Sequence, residues 1–235
     1  MPNEAPYPSH AIFWYGKVDE YHNNTDVRII YYPQGISFTL HIIDRLHWID
    51  TTPTPGEIKD WDSVSVYLNM NDLFPATPQT TSYRFDIQLG GFYTIYKGNG
   101  SFWEKMTNVP VNIQTGWRGS QGPNSNVDGK GWQADLYIPF SSLGLAAPPP
   151  QNSIWGLAVT TYDRDDAAGI FRFTKTWPTS MQPDNPSTWG EMSFGWKPFN
   201  YPSAIPTGKT VLRHGLNNII VRDGEVGGHT TCGEG

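Results

Sequence analysis

Only one of the 235 residues is a cysteine, Cys232, so no internal disulfide can staple this fold. Charge is scarce too: Asp, Glu, Lys and Arg make up 16% of the chain, against about 25% in an average soluble domain. The formal net charge is -6 and no run of Lys and Arg occurs. That balance excludes a phosphate-backbone partner, because nucleic-acid binding needs a clustered positive field. No stretch nears the roughly 20 consecutive apolar residues of a membrane span, and Met1-Pro2-Asn3-Glu4 lacks the apolar core of a signal peptide. Helix is nearly missing. Pro139 to Leu145 offers a turn or so, and Pro148-Pro149-Pro150 blocks its extension.

Reaction motifs are missing as well. There is no Gly-x-Ser-x-Gly elbow, no His-Glu-x-x-His and no phosphate-binding loop. Gly129-Lys130-Gly131-Trp132-Gln133-Ala134 fits a Gly-x-Gly-x-x-Ala pattern, but it leads into a strand and not a helix, so it is a turn. The expectation is a non-catalytic protein.

What the chain has is aromatics and turns: 14% Phe, Trp and Tyr, with 24 Gly and 20 Pro. Period-2 alternation, the mark of a strand with one buried face, runs through Ile36 to Ile42, Asp62 to Met70, Tyr83 to Leu89 and Val111 to Thr115. It continues in Trp132 to Ile138 and Ile154 to Tyr162, and more weakly in Val27 to Tyr32, Tyr93 to Tyr96, Ile170 to Thr174 and Glu191 to Phe194. Turn signals such as Pro33-Gln34-Gly35 and Lys97-Gly98-Asn99-Gly100 separate these runs. Short strands without crossover helices predict an all-β protein: an antiparallel β-sandwich of two packed sheets, jelly-roll or immunoglobulin-like. The pattern changes near residue 200. Residues 1–199 read as one sandwich, and 200–235 as a linker followed by the truncated start of another β domain.

The densest acidic cluster is Asp163, Asp165 and Asp166, interrupted by Arg164. Hard oxygen ligands on a loop suit calcium; a turn in which Arg164 pairs with a neighbouring carboxylate is the alternative. Ten tryptophans are present, and Trp117, beside Arg118 in a Gly- and Asn-rich stretch, offers an indole face to a sugar ring. Asn23-Asn24-Thr25 and Asn99-Gly100-Ser101 fit the glycosylation triplet.

The order of pieces carries a resemblance. An extended strand ends in an acidic corner, Phe38 to Asp44. Trp61-Asp62-Ser63-Val64-Ser65-Val66-Tyr67 follows, then Gly131-Trp132-Gln133-Ala134-Asp135-Leu136 and Trp155-Gly156-Leu157-Ala158-Val159. Tyr162-Asp163-Arg164-Asp165-Asp166, Lys175-Thr176-Trp177 and Trp189-Gly190-Glu191-Met192 close the series. This succession, over roughly residues 10 to 196, resembles the family-9 carbohydrate-binding modules and their wider DOMON-like superfamily. The resemblance implies a secreted, often calcium-stabilised sandwich that grips a polysaccharide or oligosaccharide between aromatic side chains. It implies attachment to further domains of an exported polypeptide. In that pattern Trp61 and Trp177 match the aromatic clamp, with Arg118 or Asp62 as polar partners. Two other readings stay open: a structural or assembly module of a surface protein, and a haem domain of the DOMON type using a Met with His or Lys, for which His41, His47, Met70, Met106, Met181 and Met192 are available.

Overall fold

The computed structural model describes residues 11–19, 22–170, 172–194, 210–212 and 219–223. The strands are β1 (Ala11–Asp19), β2 (His22–Tyr31), β3 (Gly35–Ile43), β4 (Ser63–Asn69), β5 (Ser82–Gln88), β6 (Tyr93–Gly98) and β7 (Trp103–Met106). They continue with β8 (Asn112–Gly119), β9 (Gly129–Pro139), β10 (Ile154–Arg164), β11 (Arg172–Trp177), β12 (Gly190–Phe194), β13 (Thr210–Leu212) and β14 (Ile219–Asp223). Helical structure among the described residues is confined to short 3-10 turns at Ile58–Asp60, Phe140–Leu143 and Pro186–Thr188. No helix there is long and apolar enough to cross a membrane.

Two antiparallel sheets result. One has five strands in the order β1-β2-β3-β9-β8; the other has nine, running β13-β14-β12-β10-β4-β5-β6-β7, with β11 also on β10. β12 pairs with the first residues of β10 (Ile154 to Leu157) and β11 with the later ones (Val159 to Arg164), while β4 runs along the opposite edge. The all-β sandwich expected from the alternation is therefore the fold. β13 and β14 extend the second sheet from β12. The expected linker at Tyr201 to Gly208, and Cys232, lie outside the described residues.

The core follows from strand parity. Phe13, Val27, Ile29, Phe38, Leu40 and Leu136 point inward from the five-stranded sheet, and Val64, Val66, Phe85, Leu157, Val159 and Phe194 meet them from the other. Aromatic edges lock the layers, as in the T-shaped contact of Tyr31 on β2 with Phe194 on β12 at 5.3 Å. A hydroxyl clasp also crosses between the sheets: Thr161 Oγ1 lies 2.7 Å from the Tyr15 hydroxyl and 2.8 Å from Thr25 Oγ1.

The outer faces differ. On the five-stranded sheet, Asp26, Thr39, His41, Gln133 and Asp135 are half-buried and Gln114 is exposed. On the second sheet every residue of β4 and β5 is buried on both faces. Its outward polar groups pair with one another: Ser65 donates to Asp86 at 2.5 Å, and Arg84 Nε donates to the same carboxylate at 2.8 Å. A cluster of Tyr67, Ala158, Met181 and Trp189, flanked by Trp103, roofs the strands.

The two faces of the five-stranded sheet predict opposite responses to truncation. Leu40→Ala, on the inner face, should cost about 2–5 kcal/mol in chemical denaturation, whereas Gln114→Ala on the outer face should stay within about 0.5 kcal/mol.

Candidate functional site

β3 leaves its sheet at Asp44, β4 begins one residue after Asp62, and Asp163 lies near the far end of β10. Because β10 runs antiparallel to β4 with Tyr162 opposite Ser63, Asp62 and Asp163 arrive at the same end of the sandwich. Asp44, Asp62 and Asp163 are 6%, 0% and 4% exposed, and one oxygen from each lies within 4.8 Å of the others.

These carboxyls are only partly satisfied. Asp62 accepts from the amide of Trp48 at 2.6 Å and of Arg164 at 2.8 Å, and Asp44 accepts from the amide of Leu46 at 3.2 Å. Asp44 Oδ2 and Asp163 Oδ1 are buried without a partner. Burial first, then repulsion from Asp163 and Asp165, pushes the Asp44 carboxyl well above the usual range, and burial with repulsion from Asp44 and Asp163 does the same to Asp62. Asp163 is pushed up to about 8, by burial and by Asp165. The set fits a hard divalent cation. Oxygens gathered within 4.8 Å match two metal–oxygen bonds of about 2.4 Å across one ion, and the two orphaned oxygens supply lone pairs that no protein donor uses.

The acidic cluster expected from sequence is thus rearranged. Asp163 belongs to it, and Asp165 bears on it electrostatically. Asp166 turns away, and its carboxylate accepts from the amide of Ile170 at 2.9 Å. Asp62, expected as a sugar partner, is fully buried and is the central carboxylate of the triad. Asp44 figured in the sequence only as the acidic corner after a strand, not as a ligand. Its signal was positional: an acid directly after an apolar strand.

The tryptophans separate in the same way. Trp177 is 3% exposed and packs on Phe13 at 4.3 Å between ring centres, so it plugs the interior and has no free face for a sugar. Trp61 is half-buried, with the Arg164 guanidinium 3.7 Å over its ring. Arg164 also donates to the main-chain oxygens of Asp60, Asp166 and Ala167. Hence the structure does not bring Trp61 and Trp177 together as a clamp with open faces.

Trp117 is 47% exposed. It lies opposite core Trp132 on the edge of the sheet, its ring beside Gly122, and stands with Arg118 at the rim of a trough of about 290 Å³ lined also by His41, Gln114, Thr115, Gly116, Trp132, Gln133 and Asp135. Gly116 makes the hollow: a Cβ there would meet nothing within 4 Å. Around it the polar groups are held in fixed poses. Asp135 accepts from Thr39 at 2.7 Å and from Gln133 at 2.5 Å, and His41 Nδ1 lies 3.3 Å from Asp26. Gln133 and Asp135 escaped the sequence reading because they occupy the polar phase of an ordinary alternating strand.

No protein-family model matches this sequence, and no curated protein matches it. The fold is nonetheless that of family-9 carbohydrate-binding modules. A family-9 module from Caldicellulosiruptor kristjanssonii, solved in complex with cellotriose, superposes with a TM-score of 0.53 at 15% identity, covering 84% of this chain and 86% of that one. Its complex with glucose gives a TM-score of 0.52 at 15% identity over 83% and 87%. A candidate carbohydrate-binding protein from Bacteroides uniformis gives 0.54 at 12% identity over 78% and 85%. At such identities the likeness establishes the fold.

The raised carboxyls set a pH dependence for the cation-free protein. The folded triad holds protons more tightly than the unfolded chain, whose aspartates titrate near about 4. In the window from there up to the Asp163 value of about 8, the folded state binds more protons, so raising pH destabilises it. The melting temperature of chelator-treated protein should therefore fall across this window in calorimetry. A rise in melting temperature over the same range would contradict the burial of unneutralised carboxylates.

Proposed function

We propose that the protein is a non-catalytic carbohydrate-binding module, acting outside the cell as part of a larger exported polypeptide. The observation that carries this reading is the trough on the five-stranded sheet. It gathers a guanidinium, two carboxamides, a carboxylate and an imidazole around a hollow of about 290 Å³, with the exposed Trp117 at its rim. Sugars present both kinds of surface to such a site. The C–H face of a pyranose ring stacks on the flat apolar indole of Trp117. Its hydroxyls pair with planar groups that donate and accept in fixed directions: Arg118 donates, Asp135 accepts, and Gln114 and Gln133 do both. Because Gln133 and Asp135 are held by hydrogen bonds and by the rigid β9 strand, little ordering cost falls on binding. The fold shared with modules solved with glucose and cellotriose supports the same class of ligand.

Calcium is the cation proposed for Asp44, Asp62 and Asp163, with Asp165 beside them. When bound, it neutralises carboxylates that otherwise repel one another. The chain itself supplies the amides of Leu46, Trp48 and Arg164, which hold two of the carboxylates in place.

The test is a glycan array followed by calorimetry, starting with glucose and cello-oligosaccharides. Trp117→Ala should weaken binding at least about tenfold, the loss expected of an aromatic anchor, with the circular-dichroism spectrum unchanged. Trp177→Ala should instead lower the melting temperature, as removal of a core indole does. Failure to bind any glycan would remove this reading in favour of a structural or assembly module.

A further inference from the structure

The segment after β3 ties the acidic triad to the trough. Asp44 opens it, and Trp48 closes it onto Asp62 through a reciprocal pair: the Trp48 amide donates to the Asp62 carboxylate at 2.6 Å, and the Asp62 amide donates to the Trp48 carbonyl at 3.0 Å. The residues between those two anchors hold the connection that follows the trough strand β8. The Arg45 carbonyl accepts from the amide of Gly129 at 2.6 Å, and the His47 carbonyl accepts from the amide of Asn124 at 2.6 Å. The Asn124 side chain accepts in return from the amide of Ile49 at 2.8 Å. The buried His47 ring leaves so little room that a Cβ on Gly129 would sit 2.5 Å from its Cε1 atom. The fit therefore fixes where β9 begins.

A second route is shorter. The Leu89 amide donates to the Asp62 carbonyl at 2.9 Å, and the Leu89 carbonyl accepts from the hydroxyl of Thr115, which lines the trough. Asp62 thus reaches the trough strand directly, while Asp44 reaches the loop beyond it. None of the three carboxylates lines the trough itself. The linkage runs through main-chain groups and the side chains of Asn124 and Thr115.

We infer that a calcium ion at Asp44, Asp62 and Asp163 sets the geometry of the Trp117–Arg118 trough, so that glycan affinity depends on calcium although the sugar does not contact the ion. This rests on the trough being the glycan site. The physical cause is mutual repulsion. Three carboxylates ionised within 4.8 Å of one another repel in a dry pocket, so loss of the ion, wherever proton uptake does not replace its charge, separates Asp44 from Asp62. The segment between them then moves, and with it the anchors of Asn124, Gly129 and Thr115. A trough held open by those anchors loses its alignment of Trp117 with Gln133 and Asp135. By reciprocity, bound glycan tightens calcium binding by the same factor.

The experiment uses the full chain in three measurements. Calorimetric titration with CaCl2 alone should show one site, lost in Asp44→Asn. Amide hydrogen exchange should slow on adding CaCl2 at Trp48, Leu89, Asn124 and Gly129. Titration with the best glycan from the array should show an affinity at least about tenfold weaker in chelator than in CaCl2. The variant Asn124→Gly keeps the left-handed backbone at that position (φ 64°) but removes the carboxamide; it should bind calcium normally while losing much of the calcium effect on glycan affinity. Absence of calcium binding overturns the inference, and so does glycan affinity that is equal in chelator and in CaCl2. If calcium slows exchange at these amides yet no glycan binds, the linkage stands and the glycan reading of the trough fails. Calcium binding without any change in exchange at Asn124 and Gly129 overturns the linkage, whatever the glycan result.

Discussion

Three carboxylates that converge in a dry pocket impose the constraint on which this end of the molecule depends. A buried charge costs several kcal/mol unless it is paired, and here the neighbours of Asp44, Asp62 and Asp163 are one another and Asp165. Neither adjacent arginine neutralises them: Arg45 faces Asp128 at 3.3 Å. Arg164 lends its amide to Asp62 and spends its guanidinium on three main-chain oxygens and the face of Trp61. The geometry leaves protonation or a bound cation as the ways to keep the pocket closed. Either one makes the end of the sandwich a conditional structure, whereas the apolar core between the sheets is unconditional.

The two sheets answer differently to the same pattern of alternation. On the five-stranded sheet the polar phase faces out and a glycine at position 116 opens a hollow in it. On the second sheet the polar phase of β4 and β5 is sealed by the roof of Met181, Trp189 and Trp103. The Arg84 and Asp86 side chains beneath satisfy each other, with Arg84 resting 4.5 Å from the ring centre of Tyr96. A sealed polar layer specifies how loops dock; an open one is available to a ligand.

Much of the architecture was legible because period-2 alternation encodes which face of a strand is buried. Where alternation was masked, the strand was missed. β1 carries Ile12 and Trp14 on its outer face beside buried Ala11 and Phe13, so its apolar run shows no period. β7 is four residues with two charges at its middle. The site was less legible because it is assembled across the sandwich. Asp44, Asp62 and Asp163 come from three strand ends distant in sequence, and only Asp163 stood in a visible cluster. The phase of β10 did contain a clue, since Asp163 continues the inward series of Leu157, Val159 and Thr161. Trp117 and Trp177 are equivalent in sequence terms, each at the end of a strand. What separates them is the partner: Trp177 faces Phe13 of the opposite sheet, while Trp117 stands on β8, the edge strand of its sheet, where β9 is its one neighbour.

Edge position also explains why the trough needs external support. β8 is held by β9 on one side alone, and its register with β9 shifts between Trp117 and Gly119. A strand end with a bulge and one neighbour cannot fix the pose of an indole and a guanidinium by sheet hydrogen bonds. The missing rigidity is supplied from the segment between Asp44 and Trp48, through Asn124 and Gly129, and from Asp62 through Leu89 to Thr115. Both supports lead to the acidic pocket. A neutralising ion at the root of those supports would let one local charge balance govern the trough built on the weakest edge of the sheet.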